Sequence, residues 1–141
     1  MFRIGVVGYS GKPFCKVRAV RNLCLAFHLV MVTHPEEKDF EVISGLTECP
    51  YTIGIPAIAY RLADIFGWKT AGVACKLAEE YECYDCDRVQ IVGKEWGDES
   101  ETFLSQLDFF VRVGGGKQSM AETARARELG IPVIEYDLET L

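Results

Sequence analysis

The sequence predicts a single-domain α/β protein with a doubly wound parallel sheet. The 141 residues suit one domain with one hydrophobic core. Short apolar runs rich in β-branched residues alternate with helical patterns, as they do in consecutive βαβ units. Several of these runs are apolar on both faces, which is typical of strands covered by helices on two sides. We therefore expect residues 1–141 to form one α/β domain.

The alternation gives six candidate strands and five candidate helices. The strands are expected at residues 2–8, 40–45, 69–75, 88–93, 108–113 and 131–136. The helices are expected at about 13–31, 55–66, 76–81, 100–107 and 119–129. Counting strands in chain order, we predict the core order 3-2-1-5-6, with the short strand 88–93 at an edge.

Residues at the helix ends support these boundaries. Pro56 suits the first turn of a helix, where its missing N–H has no partner to lose. Gly67 and Gly130 each stand where a helix should end, just before the next strand. The pairs Asp98/Glu101 and Ser119/Glu122 have capping-box spacing, so we predict that Asp98 and Ser119 cap helices.

Composition and charge exclude several classes of function. The chain is 49% hydrophobic, which is too apolar for a disordered protein, and its net charge is −6. A negative chain without a basic stripe is a poor partner for nucleic acids or anionic membranes, so we expect neither. The richest apolar stretch, residues 23–33, has about half the roughly 20 residues of a membrane span. With no secretory signal pattern, we expect a cytoplasmic protein.

The six cysteines do not form a disulfide framework, because a chain with an ample core does not need one. Cys83 and Cys86 have the spacing of half a zinc site, with Cys49 and Cys75 as possible further ligands. No second paired element accompanies them. We expect reduced thiols and no metal.

Three loops that follow predicted strands carry the candidate binding residues. Ligands of open parallel sheets bind beyond the carboxyl ends of the strands, and these loops end there. The candidates are Gly8, Ser10, Gly45, Thr47, Gly54, Gly114, Gly115, Gly116, Lys117, Gln118 and Ser119.

The run of three glycines at 114–116 is the sharpest of these signals. Glycines let the backbone approach a ligand closely, and the helix behind them offers free N–H groups to a phosphate. The alternative is a plain strand–helix turn capped by Ser119. The loop is no Walker A motif, because Gln118 stands between Lys117 and Ser119, and no GxGxxG follows a strand. We predict a phosphate cradle and no bound cofactor.

Residues 108–122, DFFVRVGGGKQSMAE, resemble the segment D-x-F-[IV]-x-L-P-G-G-x-G-T-x-x-E of the LOG proteins. Those are phosphoribohydrolases within the SLOG superfamily of Rossmann-like nucleotide-binding domains. The register aligns Asp108, Ser119 and Glu122, with serine in place of threonine. Residues 8–10 and 44–57 resemble further elements of the family. The resemblance implies a Rossmann-like fold of SLOG type with a nucleotide pocket.

The chain departs from that family at its catalytic Arg–Lys pair, where Glu99 and Ser100 stand. A cation there would pair with a phosphate or stabilise developing charge, whereas Glu99 would repel the same group. The resemblance therefore supports the fold and the pocket more than the phosphoribohydrolase activity. It leaves Glu122 as the candidate catalytic carboxylate, beside its alternative role as the capping partner of Ser119.

Three further features have open interpretations. The acidic residues 98, 99 and 101 are typical of a solvated first helical turn. Trp96 either stacks on a bound base or packs over the neighbouring helix. Arg112, a charge inside an apolar strand, pairs with a carboxylate such as Asp108 or Glu135, or points at a bound anion.

The sequence thus favours a module that binds a nucleotide or a nucleotide-derived small molecule, acting as a sensor or carrier. The alternative is an N-glycosidic hydrolase or transferase of nucleosides or nucleotides that uses Glu122. A weaker alternative is a structural oligomer whose glycine loops only turn the chain. In each case we expect a homo-oligomer, namely a dimer.

Overall fold

A parallel sheet of six strands forms the centre of the molecule. The computed structural model describes residues 1–46 and 53–141. Its strands are β1 (Phe2–Gly8), β2 (Phe40–Ser44), β3 (Lys69–Ala74), β4 (Arg88–Ile91), β5 (Phe109–Val113) and β6 (Val133–Tyr136). They lie in the order β4-β3-β2-β1-β5-β6, and every pair is parallel. The predicted strand order is confirmed, with the short β4 at an edge.

Helices cover both faces of the sheet. They are α1 (Lys16–Thr33), α2 (Ile55–Phe66), α3 (Ser100–Leu104) and α4 (Lys117–Glu128), and a 3₁₀ turn spans Lys76–Glu80. One core layer packs α1 and α2 against side chains such as Ile4 and Val111. The opposite layer contains Phe103 of α3 and Ala126 of α4, with Phe110 from the sheet. Because neighbouring residues of β5 enter opposite layers, this strand is apolar on both faces, and the predicted doubly wound fold is confirmed.

Two helix ends match the sequence and two differ from it. Gly67 and Gly130 follow α2 and α4 with φ of 74° and 76°, a left-handed conformation that favours glycine. The predicted caps are wrong. α4 begins at Lys117, so Ser119 lies inside the helix, and Gly116 is the N-cap residue. Asp98 accepts the N–H groups of residues 94 and 95, because it closes the turn before α3 instead of capping that helix.

Within residues 1–46 and 53–141, no helix combines the length and apolar character that crossing a lipid bilayer requires.

Candidate functional site

A cleft opens at the carboxyl ends of β1, β2 and β3. It lies where parallel sheets of this kind bind ligands, because the strand order reverses at β1: β2 to β4 lie on one side of β1, and β5 and β6 lie on the other. The cavity has a volume of about 410 Å³, which is enough for a nucleotide-sized molecule. Its lining comes from the loop after β1, the end of β2, the turn before α3 and the first two turns of α4.

Most of the predicted binding residues meet in this cleft. Those that line it are Gly8, Ser10, Gly45, Gly116, Lys117, Gln118 and Ser119, together with the predicted catalytic residue Glu122. The topology explains the convergence, because parallel strands place the loops that follow them at one edge of the sheet. Thr47 lies outside the described residues.

Three predicted glycines shape the loops without lining the cleft. A Cβ on Gly54 would lie 2.8 Å from the Cα of Ser10, so this glycine lets two loops cross. Gly114 and Gly115 have φ of 62° and 104° and turn the chain away from the cleft. They border a separate, shallower depression beneath residues 137–140. Their predicted contact with a ligand is therefore not supported by their position, and the reason is that the turn itself uses their conformational freedom.

The N-terminus of α4 presents unpaired donors to the cleft. No side chain caps this helix. Among the described residues, the N–H groups of Lys117, Gln118 and Ser119 have no acceptor. All three residues line the cavity. Free N–H groups and the positive end of the helix dipole together favour a bound anion.

Two lysines add positive charge to the same cleft. Lys12 comes from the loop after β1 and Lys117 from the start of α4. In the part of the chain that the structure describes, neither ammonium group lies within 4.0 Å of a carboxylate. Their charge is therefore available to a ligand. The sequence analysis did not select Lys12, although it stands in the glycine-containing first loop.

Glu122 is buried in the wall of the cleft. The residue is 9% exposed, and one carboxylate oxygen accepts a hydrogen bond of 2.8 Å from the Ser100 hydroxyl. Burial raises the pKa of Glu122 to about 7. The hydrogen bond from Ser100 lowers this pKa in part, and the charge of Glu99 raises it further. A carboxyl group that titrates near neutral pH can donate or accept a proton, as general acid–base chemistry requires.

Glu99 is a second buried carboxylate of the cleft, so its predicted place on a solvated turn is wrong. The residue is 7% exposed because α4 packs over the turn before α3. Its carboxylate accepts hydrogen bonds of 3.1 Å from the Gly97 N–H and from the Gln118 side-chain amide. The only sequence signal for Glu99 was its register with the arginine of the resembling family.

Trp96 lines the cleft from the same turn. Trp96 is 49% exposed, and its ring centroid lies 6.2 Å from that of Tyr81. The indole thus lies beside the Tyr81 ring and also lines the cleft. Its stacking on a bound base stays a prediction.

Arg112 points away from the cleft, which decides between the alternatives left open by the sequence. Its guanidinium donates to Glu135 at 2.8 Å, to Asp137 at 2.7 Å and to the Gly114 carbonyl at 2.9 Å. The arginine therefore fixes the glycine turn to the segment after β6, and it pairs with carboxylates of this chain.

The cysteine pair lies apart from the cleft. Cys83 donates to the carbonyl groups of Ala78 and Tyr81, and burial raises the pKa of its thiol. Burial also raises the pKa of Cys86, to about 11. Within residues 1–46 and 53–141, no three His, Cys, Asp or Glu side chains are placed to share a metal ion. Cys49 lies outside the described residues, and the absence of metal stays a prediction.

Comparisons with known proteins identify the fold. No protein-family model matches the chain, and no curated protein matches it in sequence. The molybdenum cofactor carrier protein of Chlamydomonas reinhardtii matches with a TM-score of 0.71 and 22% identity, over 95% of this chain and 75% of that one. TM1055, a structural genomics target, matches with a TM-score of 0.68 and 24% identity, over 94% and 72%. At such identities the likeness shows the fold alone, and it supports the predicted Rossmann-like α/β fold.

Proposed function

We propose that the chain binds a phosphorylated small molecule, a nucleotide or a nucleotide-derived compound, and acts as its carrier or sensor. One observation carries the proposal: N–H groups of α4 and two lysines, none of which has a partner among residues 1–46 and 53–141, converge on one cavity at the carboxyl end of the sheet. The likeness to a solved carrier protein of the same fold supports a carrying role.

The phosphate belongs at the start of α4. Backbone N–H groups hold an anion there without a large conformational cost, because the helix already fixes their direction. Lys117 stands at the first helical position, and Lys12 reaches the cleft from the loop after β1. Ser10 and Ser119 add hydroxyl donors at the cavity wall. This arrangement binds an anion through donors that belong to two different loops.

The resemblance to the LOG proteins supports the same pocket and argues against the same chemistry. Glu99 occupies the place of the family's arginine, and its buried carboxylate lies against Gln118 of α4. A negative group there cannot supply the charge stabilisation that a cation gives. Binding without phosphoribohydrolase turnover is thus the function that the cleft supports best.

Replacing Gly116 by valine tests the phosphate position. A Cβ on Gly116 meets no atom within 4 Å, and φ is −100°, so the fold tolerates the side chain. The added isopropyl group would cover the N–H groups of α4. We expect binding of a nucleoside monophosphate to fall by at least tenfold in calorimetry, with the melting temperature nearly unchanged.

Gly115→Val is the contrasting variant. A Cβ there would lie 2.5 Å from the Ser119 side chain at φ of 104°, so we expect a loss of about 3 kcal/mol in stability. If Gly116→Val bound nucleotides as the wild type does, the phosphate would not lie at α4 and the proposal would be wrong.

The lysines provide a second test with a matched control. Lys117→Gln and Lys12→Gln each remove one cation from the cleft, and each should weaken binding by about tenfold, as loss of a charged contact does. Lys38→Gln removes the same charge from an exposed site before β2, at the opposite end of the sheet. Equal affinities in all three variants would contradict the proposed anion site.

A glycosidic hydrolase is the second candidate, and the position of Glu122 favours it. The carboxyl group is buried in the cleft and titrates near pH 7. Wild-type protein that releases free base from a nucleoside monophosphate, with a rate reduced by roughly 10²-fold or more in Glu122→Gln, would establish the enzyme. We expect no release, and affinity in Glu122→Gln within about tenfold of the wild type.

A further inference from the structure

The turn between β4 and α3 carries an aromatic side chain and a hydrogen-bond acceptor that both line the cleft. Trp96 and Glu99 are three residues apart, and both line the cavity. The Gly97 N–H donates to the Glu99 carboxylate, which holds this side chain close to the turn that carries the indole. We call residues 96–99 the acidic turn.

The acidic turn has hydrogen-bond acceptor positions that the described part of the chain leaves unused. A carboxylate offers about four lone-pair positions, and the described residues occupy two of those on Glu99. No lysine or arginine of the described chain lies within 4.0 Å of Glu99 or Glu122. Both glutamates line the cavity, so a ligand that occupies it can reach their carboxyl groups.

The same cleft thus holds basic and acidic side chains that form no ion pair with one another. Among the described residues, neither Lys12 nor Lys117 lies within 4.0 Å of a carboxylate, although Glu99 and Glu122 line the same cavity. Burying a carboxylate without a counter-charge is costly, so a ligand that brings donors to Glu99 relieves that cost. A complementary molecule has an anionic end for the lysines and a donor-bearing end for the acidic turn.

The side chains of the acidic turn indicate that the donor-bearing end of the ligand is a flat heterocycle. The half-exposed indole of Trp96 offers a face on which a ring can stack. A carboxylate accepts best from two adjacent N–H donors, which guanine presents at N1 and its 2-amino group. Adenine presents an acceptor beside its amino group, so one lone pair would face another.

We infer that the acidic turn selects phosphorylated ligands whose heterocycle carries two adjacent N–H donors, as guanine does, by stacking on Trp96 and hydrogen bonding to Glu99. The inference rests on the proposed function and names the ligand class for the same cleft. It assigns Trp96 and Glu99 as specificity residues.

Calorimetric titration with GMP and AMP tests the selection. Wild-type protein should bind GMP at least tenfold more tightly than AMP, because a hydrogen bond to a charged acceptor contributes about that factor. Glu99→Gln should reduce the preference to about threefold or less, mainly by weakening GMP. Glu95→Gln is the matched control, because it removes an exposed carboxylate from the same turn outside the cavity. Trp96→Leu should weaken both nucleotides and leave their ratio nearly unchanged.

The two proposals fail in different ways. Equal affinities for GMP and AMP, or a preference that survives in Glu99→Gln, would overturn the selection and leave the anion site standing. Binding of neither nucleotide would overturn both. A GMP preference that is lost equally in Glu95→Gln would show a general effect of charge and would also overturn the role of Glu99.

Discussion

Glu41 and Glu122 are both buried glutamates, but they lie at opposite ends of the sheet and differ in their partners. Glu41, near the start of β2, is 5% exposed and forms ion pairs with Arg88 and Arg3. Glu122, at the cleft, is 9% exposed and accepts a hydrogen bond from the neutral Ser100. The same side chain is therefore neutralised by cations at one end and left without a cation at the other.

The pKa values of the two carboxyl groups shift in opposite directions for this reason. Burial alone would raise the pKa of Glu41, but hydrogen bonds and charges from Arg88 and Arg3 outweigh it, and the pKa lies below its ordinary value. Burial raises the pKa of Glu122 to about 7, because the hydrogen bond from Ser100 offsets only part of it. Burial thus disfavours the charged form of both acids, and only the cations beside Glu41 outweigh that effect.

This difference separates the end of the sheet that ion pairs hold together from the end that carries the candidate site. Arg88 donates to both oxygens of Glu41 and also to Gln106. These hydrogen bonds connect β4 with β2 and with the segment after α3. At the cleft, no comparable cation closes the site within the described residues, and its charges face a cavity. Three predictions test the contrast.

Glu122→Gln should produce the largest change in the pH dependence of stability. A folded pKa raised from 4.5 to about 7 stabilises the wild type below pH 4.5, and this contribution is lost as the pH rises through 7. The loss amounts to about 3 kcal/mol. Glutamine keeps an acceptor for Ser100 but does not titrate, so urea unfolding at pH 5 and pH 8 should show a correspondingly flatter dependence. Identical slopes in both proteins would show that Glu122 ionises as in water.

Glu41→Gln should have the opposite dependence on pH. The lowered pKa of Glu41 stabilises the wild type above about pH 4.5, and the contribution disappears as the pH falls through the folded value. At pH 7 the variant should lose about 2 kcal/mol, because charged hydrogen bonds to two arginines are removed. At pH 3 the difference from the wild type should narrow. Chemical denaturation at both pH values measures the stability difference, and a difference that stays constant would contradict a lowered pKa of Glu41.

The two arginines should contribute unequally. Arg88 makes hydrogen bonds of 2.9 and 2.8 Å to both oxygens of Glu41, whereas Arg3 makes one of 3.1 Å. Both side chains are about 40% exposed, so solvent screens each pair. We expect Arg88→Gln to cost about 1 kcal/mol and Arg3→Gln about half of that. A double-mutant cycle with Glu41→Gln checks the order, and a larger coupling to Arg3 would reverse our account of this site.

The sequence predicted the strands well, because their signal is local. Short apolar runs alternating with helical patterns indicated all six strands, and the predicted strand ends differ from the observed ones by at most two residues. Glycines at 67 and 130 marked two helix ends, since left-handed φ angles favour that residue. The start of α4 was missed because capping-box spacing at Ser119 and Glu122 was interpreted as a local contact, while Glu122 contacts Ser100 instead.

The candidate site, too, could be predicted from the sequence only in part. The glycine loops and Lys117 could be selected from the sequence, because parallel strands bring the loops that follow them to one edge. The environments of Glu99 and Trp96 could not, because they depend on the distant residues Gln118 of α4 and Tyr81. The placement of the glycines at 114–116 was also beyond the sequence: Gly116 lines the cleft, whereas Gly114 and Gly115, with φ of 62° and 104°, turn the chain.

By itself, the sequence determined the layered fold, the strand order and the edge of the sheet at which the loops meet. The physical reason is that hydrophobic periodicity and turn residues act over a few neighbouring positions. The tertiary structure alone decided which carboxyl groups pair with cations, which accept from neutral groups and which line a cavity. Glu41, Glu99 and Glu122 are the same residue type, and their surroundings follow from burial and from partners 19 to 47 residues away or on the adjoining turn.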